Sequence, residues 1–268
     1  MDFDEIRRVL GRSREQLLPT PPRLPWREHP FLEELYYSVV ESTEYPRDAP
    51  RGHPVRMLGE RSALPLNFPL VEVGCFGSGF IASLIARYTS RNVVSVGSPR
   101  AVASTQMCYN NQQNLLFVPG DVYHLKEQGI ENAAVVCSSA FFHTYNDLES
   151  AIDSFLAIMH PEGILYLEEF DRKLAYQDFL LSDDALEFEA VEHIFKQSPE
   201  RHFAFLQERN LIKPMLLTYA ATLSAYTFDE VAQPLRVREY TCVAIRPKPT
   251  TFGMFVGKDH VLRRLDAR

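Results

Sequence analysis

The chain carries only four cysteines in 268 residues, Cys75, Cys108, Cys137 and Cys242, and no two of them form a Cys-x-x-Cys pair. Three lie in or beside apolar segments, so they read as small buried hydrophobes in a reducing compartment and not as a disulfide framework. Positive charge is also short: 28 Lys and Arg against 35 Asp and Glu leave a net charge of −7. Neutralising phosphates takes a basic surface, so a dedicated nucleic-acid binder is not expected. No apolar run nears the roughly 20 residues of a membrane span. The N-terminus, Met1-Asp2-Phe3-Asp4-Glu5, is acidic and has no apolar core of the signal-peptide kind, so a cytoplasmic location is expected. Repeats and low-complexity tracts are missing as well. His193 and His202 stand nine residues apart with no third ligand at metal spacing, and no metal is expected.

Proline, by contrast, is concentrated. Pro19, Pro21, Pro22, Pro25, Pro30, Pro46, Pro50, Pro54, Pro65 and Pro69 break up residues 1–69, where long helices or strands are not expected. Two helices fit between them, from Asp4 to about Leu18 and from Pro30 to about Ser42. This part reads as a lid or packing arm on a domain spanning 70–258, with 170–235 as substrate-side helices and 259–268 as a charged tail.

The stretch Leu70-Val71-Glu72-Val73-Gly74-Cys75-Phe76-Gly77-Ser78-Gly79-Phe80 carries the most information. An apolar strand containing an acid runs into three closely spaced glycines, and an amphipathic helix follows with Ile81, Leu84, Ile85 and Tyr88. Glycine lets a ligand approach the backbone, and a helix N-terminus offers free N–H donors. From here strands and helices alternate. Val93–Val96, Leu115–Val118, Ala133–Cys137 and Ile164–Leu167 are short apolar runs of the kind buried on both faces of a parallel sheet. Pro99 opens a helix to about Gln112, and Asp147 caps one carrying Leu148, Ile152, Phe155, Leu156 and Met159. His160-Pro161-Glu162-Gly163 reads as a turn. Charged helical stretches follow from about Asp184 to Lys196 and Glu200 to Asn210, then two β runs around Pro247 and Pro249 that suggest an antiparallel pair. The expected fold is α/β, a Rossmann-like doubly wound and mostly parallel sheet.

These residues resemble the class I S-adenosylmethionine-dependent methyltransferases, in particular their small-molecule branch. Glu72, Gly74, Gly77 and Gly79 match the family's first motif, an acid followed by a GxGxG-type loop. Phe117-Val118-Pro119-Gly120-Asp121 matches the third-strand motif. Ser138-Ser139-Ala140-Phe141-Phe142-His143-Thr144-Tyr145 resembles the substrate-side loop after strand four. The helix, turn and strand from Asp147 to Glu169 match the segment that follows. The resemblance runs from Leu70 to Gly257. It implies S-adenosylmethionine as cofactor, with Glu72 toward its amino group, Asp121 on the adenine amino group, Val122 lining the base, and Gly97 and Ser138 on the cofactor side.

Two positions depart from the pattern. Cys75 and Phe76 both stand between the first two glycines, where the family has one residue. Strand two ends in Gly97-Ser98, where the family places an acid that accepts both ribose hydroxyls. Losing such an acceptor costs on the order of a few kcal/mol of cofactor binding.

Each site residue also has an ordinary structural reading. Glu72 is equally a carboxylate that caps the following loop, and Asp121 a helix cap. His143, just past strand four, is placed to remove a proton from the acceptor, or is a polar loop residue. Phe141, Phe142 and Tyr145 form an aromatic wall or pack in the core; Tyr37, with Tyr36, folds over the site from the arm. Glu168, Glu169 and Asp171 orient a polar substrate group or form a solvated acidic turn. The function expected is methyl transfer to a small, partly apolar acceptor. One alternative is a methyltransferase fold without methyl transfer, acting as a non-catalytic partner, a scaffold or a cyclase-like enzyme. Another is an NADP-dependent oxidoreductase, with Arg100 after strand two meeting the cofactor's extra phosphate.

Overall fold

The structure, a computed structural model, describes residues 20, 23, 54–61, 64–74, 80–109, 112–138, 146–181, 222, 224–245 and 250–266. The helices expected over 4–18, 30–42, 184–196 and 200–210 lie outside these residues. The described elements run α1 (Pro54–Arg61), β1 (Leu70–Val73), α2 (Phe80–Arg87), β2 (Val93–Gly97), α3 (Pro99–Tyr109), β3 (Leu115–Pro119), β4 (Ala133–Ser138), α4 (Leu148–Ile158), β5 (Met159–Phe170), α5 (Arg172–Leu181), α6 (Phe228–Val237), β6 (Thr241–Ile245), β7 (Thr251–Gly257) and α7 (Asp259–Asp266). Two short 3-10 turns, Val122–His124 and Lys126–Gln128, join β3 to β4.

The seven strands form one sheet in the order β3-β2-β1-β4-β5-β7-β6, parallel through β5, with β7 antiparallel to both β5 and β6. This is the doubly wound sheet with a closing antiparallel pair that the sequence predicts. All four residues of β1 and all six of β4 are buried, because helices cover both faces. Leu70, Val93, Val135, Cys137, Ile164 and Tyr166 face α1, α2 and α7. Val71, Val73, Val96, Val136, Leu165 and Leu167 face α4 and α6, where Ile152, Phe155, Val231 and Leu235 complete the larger core. The chain leaves β1 toward β2 and β3 on one side and returns to β4 and β5 on the other. The strand order therefore reverses at the C-terminal ends of β1 and β4, the place where such sheets bind ligands. No helix among the described residues is long and apolar enough to cross a membrane.

Three local expectations need correction. His160–Gly163 is not a turn between helix and strand but part of β5 itself: between the pairs Ala133–Met159 and Val135–Ile164, β5 advances five residues against two on β4. The turn-forming residues sit in this bulge. A Cβ on Gly163 would lie 2.8 Å from the His160 carbonyl oxygen and 2.9 Å from that of Ala133, so only glycine fits between them. The segment read as a charged tail is helical through Asp266 and packs Val261 and Leu262 against Phe255 and Ile164. The proline-rich arm contains α1, which has Pro54 as its first residue and docks on α2 through Leu58 and Gly59.

Candidate functional site

The candidate site is built by the ends of four adjacent strands. Val73 pairs with Val96 and with Ser138, and Gly97 pairs with Pro119, so Gly74, Gly97, Gly120 and Ser138 lie along one edge. Cross-links hold that edge in place. The Gly74 N–H donates to the Val96 carbonyl at 2.8 Å, and the Gly120 N–H donates to the Gly97 carbonyl at 2.8 Å. Gly74 has φ 88°, a left-handed conformation that lets the chain turn sharply off β1. The predicted residues Glu72, Gly74, Gly97, Asp121, Val122 and Ser138 are thus brought to one side of the sheet. Gly77, Gly79, Tyr37, Phe141, Phe142, His143 and Tyr145 lie outside the described residues.

Glu72 is 3% exposed, although strand β1 is apolar around it. Its Oε2 accepts a 2.5 Å hydrogen bond from the Ser95 hydroxyl on β2. Burial pushes its carboxyl up to about 7, against the opposing pull of hydrogen bonds from Ser95 and from the backbone of Ala82 in the first turn of α2. The bond from Ala82 ties β1 to the start of that helix and spans the glycine loop between them. On the other flank Glu72 pairs in register with Cys137, whose thiol is pushed well up by burial and then by Glu72. Among the described residues no Lys, Arg or His pairs with this carboxylate. Residues 75–79 contain no charged side chain.

Asp121 caps the first 3-10 turn. Its Oδ1 accepts from the Tyr123 N–H at 3.0 Å, and its Oδ2 lies 3.4 Å from Nδ1 of His124. The carboxylate is exposed, whereas Val122 is buried in the larger core beneath it. Gly97 ends β2 with no side chain, and the neighbouring Ser98 turns its Oγ to the Ala101 N–H at 3.2 Å, at the start of α3. No carboxylate stands at the end of β2.

Glu168 and Glu169, near the end of β5, and Asp171 just past it do not form a solvated turn. Asp171 is buried, and its Oδ1 accepts from the backbone N–H groups of Lys173 and Leu174 at 2.9 and 3.2 Å, capping α5. Its Oδ2 accepts from Phe228 N–H at 3.3 Å, at the start of α6. One carboxylate thus serves two helix ends. Glu169 is buried and accepts from the Phe170 N–H at 2.9 Å; Glu168 accepts from the Tyr166 hydroxyl at 2.6 Å. Beside them Arg172, also buried, donates to the Ala225 carbonyl and, at 2.6 Å, to Glu230. Glu230 and Thr227 complete a capping box on α6.

A cleft of about 620 Å3 opens between the first turn of α4 and α6, lined by Asp147, Leu148, Tyr226, Glu230 and Arg238. Arg23 adds a wall from the N-terminal part: its guanidinium stacks 4.0 Å over the Tyr226 ring and donates to the Ser224 carbonyl at 2.8 Å. Sequence reasoning missed Arg23 and Tyr226, which lie 203 positions apart and which no motif links. The double cap at Asp171 left a readable signal, an Asp directly before a helix.

Residues 71–167 match the family model of a methyltransferase domain. No curated protein sequence matches the chain. Among solved structures, the plantazolicin methyltransferase BpumL, in complex with a triazolic desmethylPZN analog and SAH, is 12% identical. It aligns over 95% of this chain and 96% of its own, with a TM-score of 0.56. The plantazolicin methyltransferase BamL, with the same analog and SAH, is 11% identical over 96% of this chain and all of its own, with a TM-score of 0.54. The CurJ carbon methyltransferase is 15% identical with a TM-score of 0.48, and this chain spans half of its length. At these identities the likeness concerns the fold. The domain match stands against the nicotinamide-dependent alternative, and it covers the strand ends that build the candidate site. The chain is thus similar to a methyltransferase domain over residues 71–167 and shares the fold of solved methyltransferases.

Proposed function

We propose that the chain transfers the methyl group of S-adenosylmethionine to a small, partly apolar acceptor. The observation that carries this reading is the row of strand ends from β1 to β4, inside the methyltransferase-domain match and beside a buried carboxylate that pairs with no cation among the described residues. A cationic ligand fits such a place. When bound, the cofactor supplies an electrophilic methyl group on a sulfonium. Gly74, with Gly77 and Gly79 beyond it, would let the backbone approach the methionine part. Oδ1 of Asp121 is engaged by the turn, while Oδ2, 3.4 Å from Nδ1 of His124, would accept from the adenine amino group, with Val122 as the floor. Ser138 closes the edge from β4. The chain's main contribution is to hold the acceptor in line with the methyl group. His143, directly after β4, would take the acceptor's proton, while Phe141, Phe142, Tyr145 and Tyr37 would form an apolar wall.

Calorimetry with S-adenosylmethionine tests the cofactor. Binding is expected below millimolar concentration, weakened by the missing carboxylate at the end of β2. Gly97→Asp restores that acceptor and should tighten binding by about tenfold. Methyl transfer to a panel of phenols, amines and acidic carbon compounds should then be lost in His143→Ala with cofactor binding intact. Retained transfer in that variant would remove His143 from the mechanism.

The bare end of β2 supports a second reading, a methyltransferase fold that no longer transfers methyl groups. Gly97 offers no acceptor and the Ser98 hydroxyl is committed to α3. Absence of S-adenosylmethionine binding at millimolar concentration would select this reading over the first.

A further inference from the structure

The buried carboxylate of Glu72 has no apparent structural need to be charged. Its two donors, the Ser95 hydroxyl and the Ala82 backbone, are neutral, and so is the Cys137 thiol beside it in register. Across the rest of that sheet row stand Phe117 and Tyr166, and the Tyr166 hydroxyl is bonded to Glu168. From α2, packed over the row, come Ala82, Leu84, Ile85 and Ala86, none of them ionisable. Among the described residues nothing compensates an ionised group in this setting, and a ligand's positive charge beside the end of β1 would do so.

We propose that Glu72 is a specificity-determining residue that favours the cationic cofactor over its neutral product, by carrying its negative charge when the sulfonium is bound and taking up a proton when the thioether is. The inference rests on the cofactor reading above. Methyl transfer breaks the sulfur–carbon bond and leaves its electron pair on sulfur; the acceptor bonds to carbon and gives up its own proton. The cofactor thereby loses one positive charge, and the site around Glu72 becomes a poor place for an anion. With the empty-site carboxyl poised near 7, the change falls within the physiological range. Binding of a cation and loss of the proton must favour each other by the same factor.

The test is calorimetric binding of S-adenosylmethionine and of S-adenosylhomocysteine to the full chain from pH 6 to pH 8.5. The preference for the sulfonium over the thioether is expected to grow about tenfold across this range, the equivalent of a one-unit change in proton affinity. In Glu72→Gln, which keeps the shape of the protonated carboxyl, the preference should stay flat. The ligands' own amino groups titrate against both proteins, so the difference between the two belongs to Glu72. Ser95→Ala removes a donor to the carboxylate and should move the midpoint to higher pH. A preference independent of pH in the wild type, an equal slope in Glu72→Gln, or an unmoved midpoint in Ser95→Ala would each overturn the inference while leaving the cofactor assignment standing. If neither ligand binds the wild type, both readings fall together.

Discussion

Glu72 in β1 and Asp171 just past β5 are both buried carboxylates on the C-terminal side of one sheet, and their surroundings are opposite. Asp171 accepts three backbone hydrogen bonds from two helix ends and adjoins Arg172, whose guanidinium is itself bonded to Glu230 and the Ala225 carbonyl. Burial pushes the Glu230 carboxyl up, but its bonds from Arg172 and Thr227 outweigh this and hold it below the ordinary carboxylate range. Glu72 has one hydroxyl and one backbone donor, no cation among the described residues, and a carboxyl raised to about 7. A saturated buried acid is architecture. A buried acid left short of positive charge marks the place where a ligand completes the electrostatics.

The comparison breaks first at Asp171. Asp171→Ala strips the cap from α5 and removes the acceptor of the Phe228 N–H at the start of α6, leaving part-buried N–H groups without acceptors. With one cap worth up to about 2 kcal/mol and each orphaned buried donor adding about 1–3 kcal/mol, the loss should be roughly 3–5 kcal/mol in urea unfolding. Asp171→Asn keeps one carbonyl acceptor and should recover more than half of that. A loss below about 1 kcal/mol in Asp171→Ala would mean that these carboxylate bonds carry no weight.

Glu72→Gln gives the next largest effect, with the opposite sign. The unfolded carboxyl ionises near 4.5 and the folded one near 7. Between those values the folded state holds the extra proton, so stability falls as pH rises through that window. The loss is on the order of 3 kcal/mol between pH 4.5 and pH 7. Glutamine has no proton to lose, so the variant should gain on the wild type by about that amount when unfolding is compared at pH 5 and pH 8. Parallel stability curves for the two proteins would show that Glu72 is compensated after all.

Much of the fold was legible because β1, β2, β4 and the core of β5 are short apolar runs, the signature of strands covered on both faces. What escaped has physical reasons. Pro161 and Gly163 look like a turn since a bulge inside β5 needs the same residues. Asp259–Asp266 looks like a charged tail since its sequence is mostly charged, with Val261 and Leu262 buried on one side of that helix. The site was readable one strand end at a time, through Glu72, Gly74, Gly97, Asp121 and Ser138. Ser95 as the partner of Glu72 was not, because that contact exists only once β1 and β2 are in register. The same holds for Asp171 and Phe228, which are joined only through the tertiary fold.

The smallest expected effect comes from a third electrostatic setting, the surface. Arg238 at the end of α6 bonds Asp153 at 2.7 Å and Glu149 at 3.2 Å on α4, and on a contact list it resembles the Arg172–Glu230 pair. The difference is solvent. Glu149 and Asp153 are mostly exposed, so water stabilises them nearly as well when the arginine is gone. Arg238→Ala should therefore cost below about 1 kcal/mol, and less in 0.5 M salt, where screening shortens the reach of exposed charges. Part of any loss will be the bond from Arg238 to the Pro234 carbonyl at the helix end, which salt does not weaken much. Unfolding at two salt concentrations separates the two. A loss above 2 kcal/mol that persists in high salt would place Arg238 with Asp171 among the groups that hold the helices to the sheet.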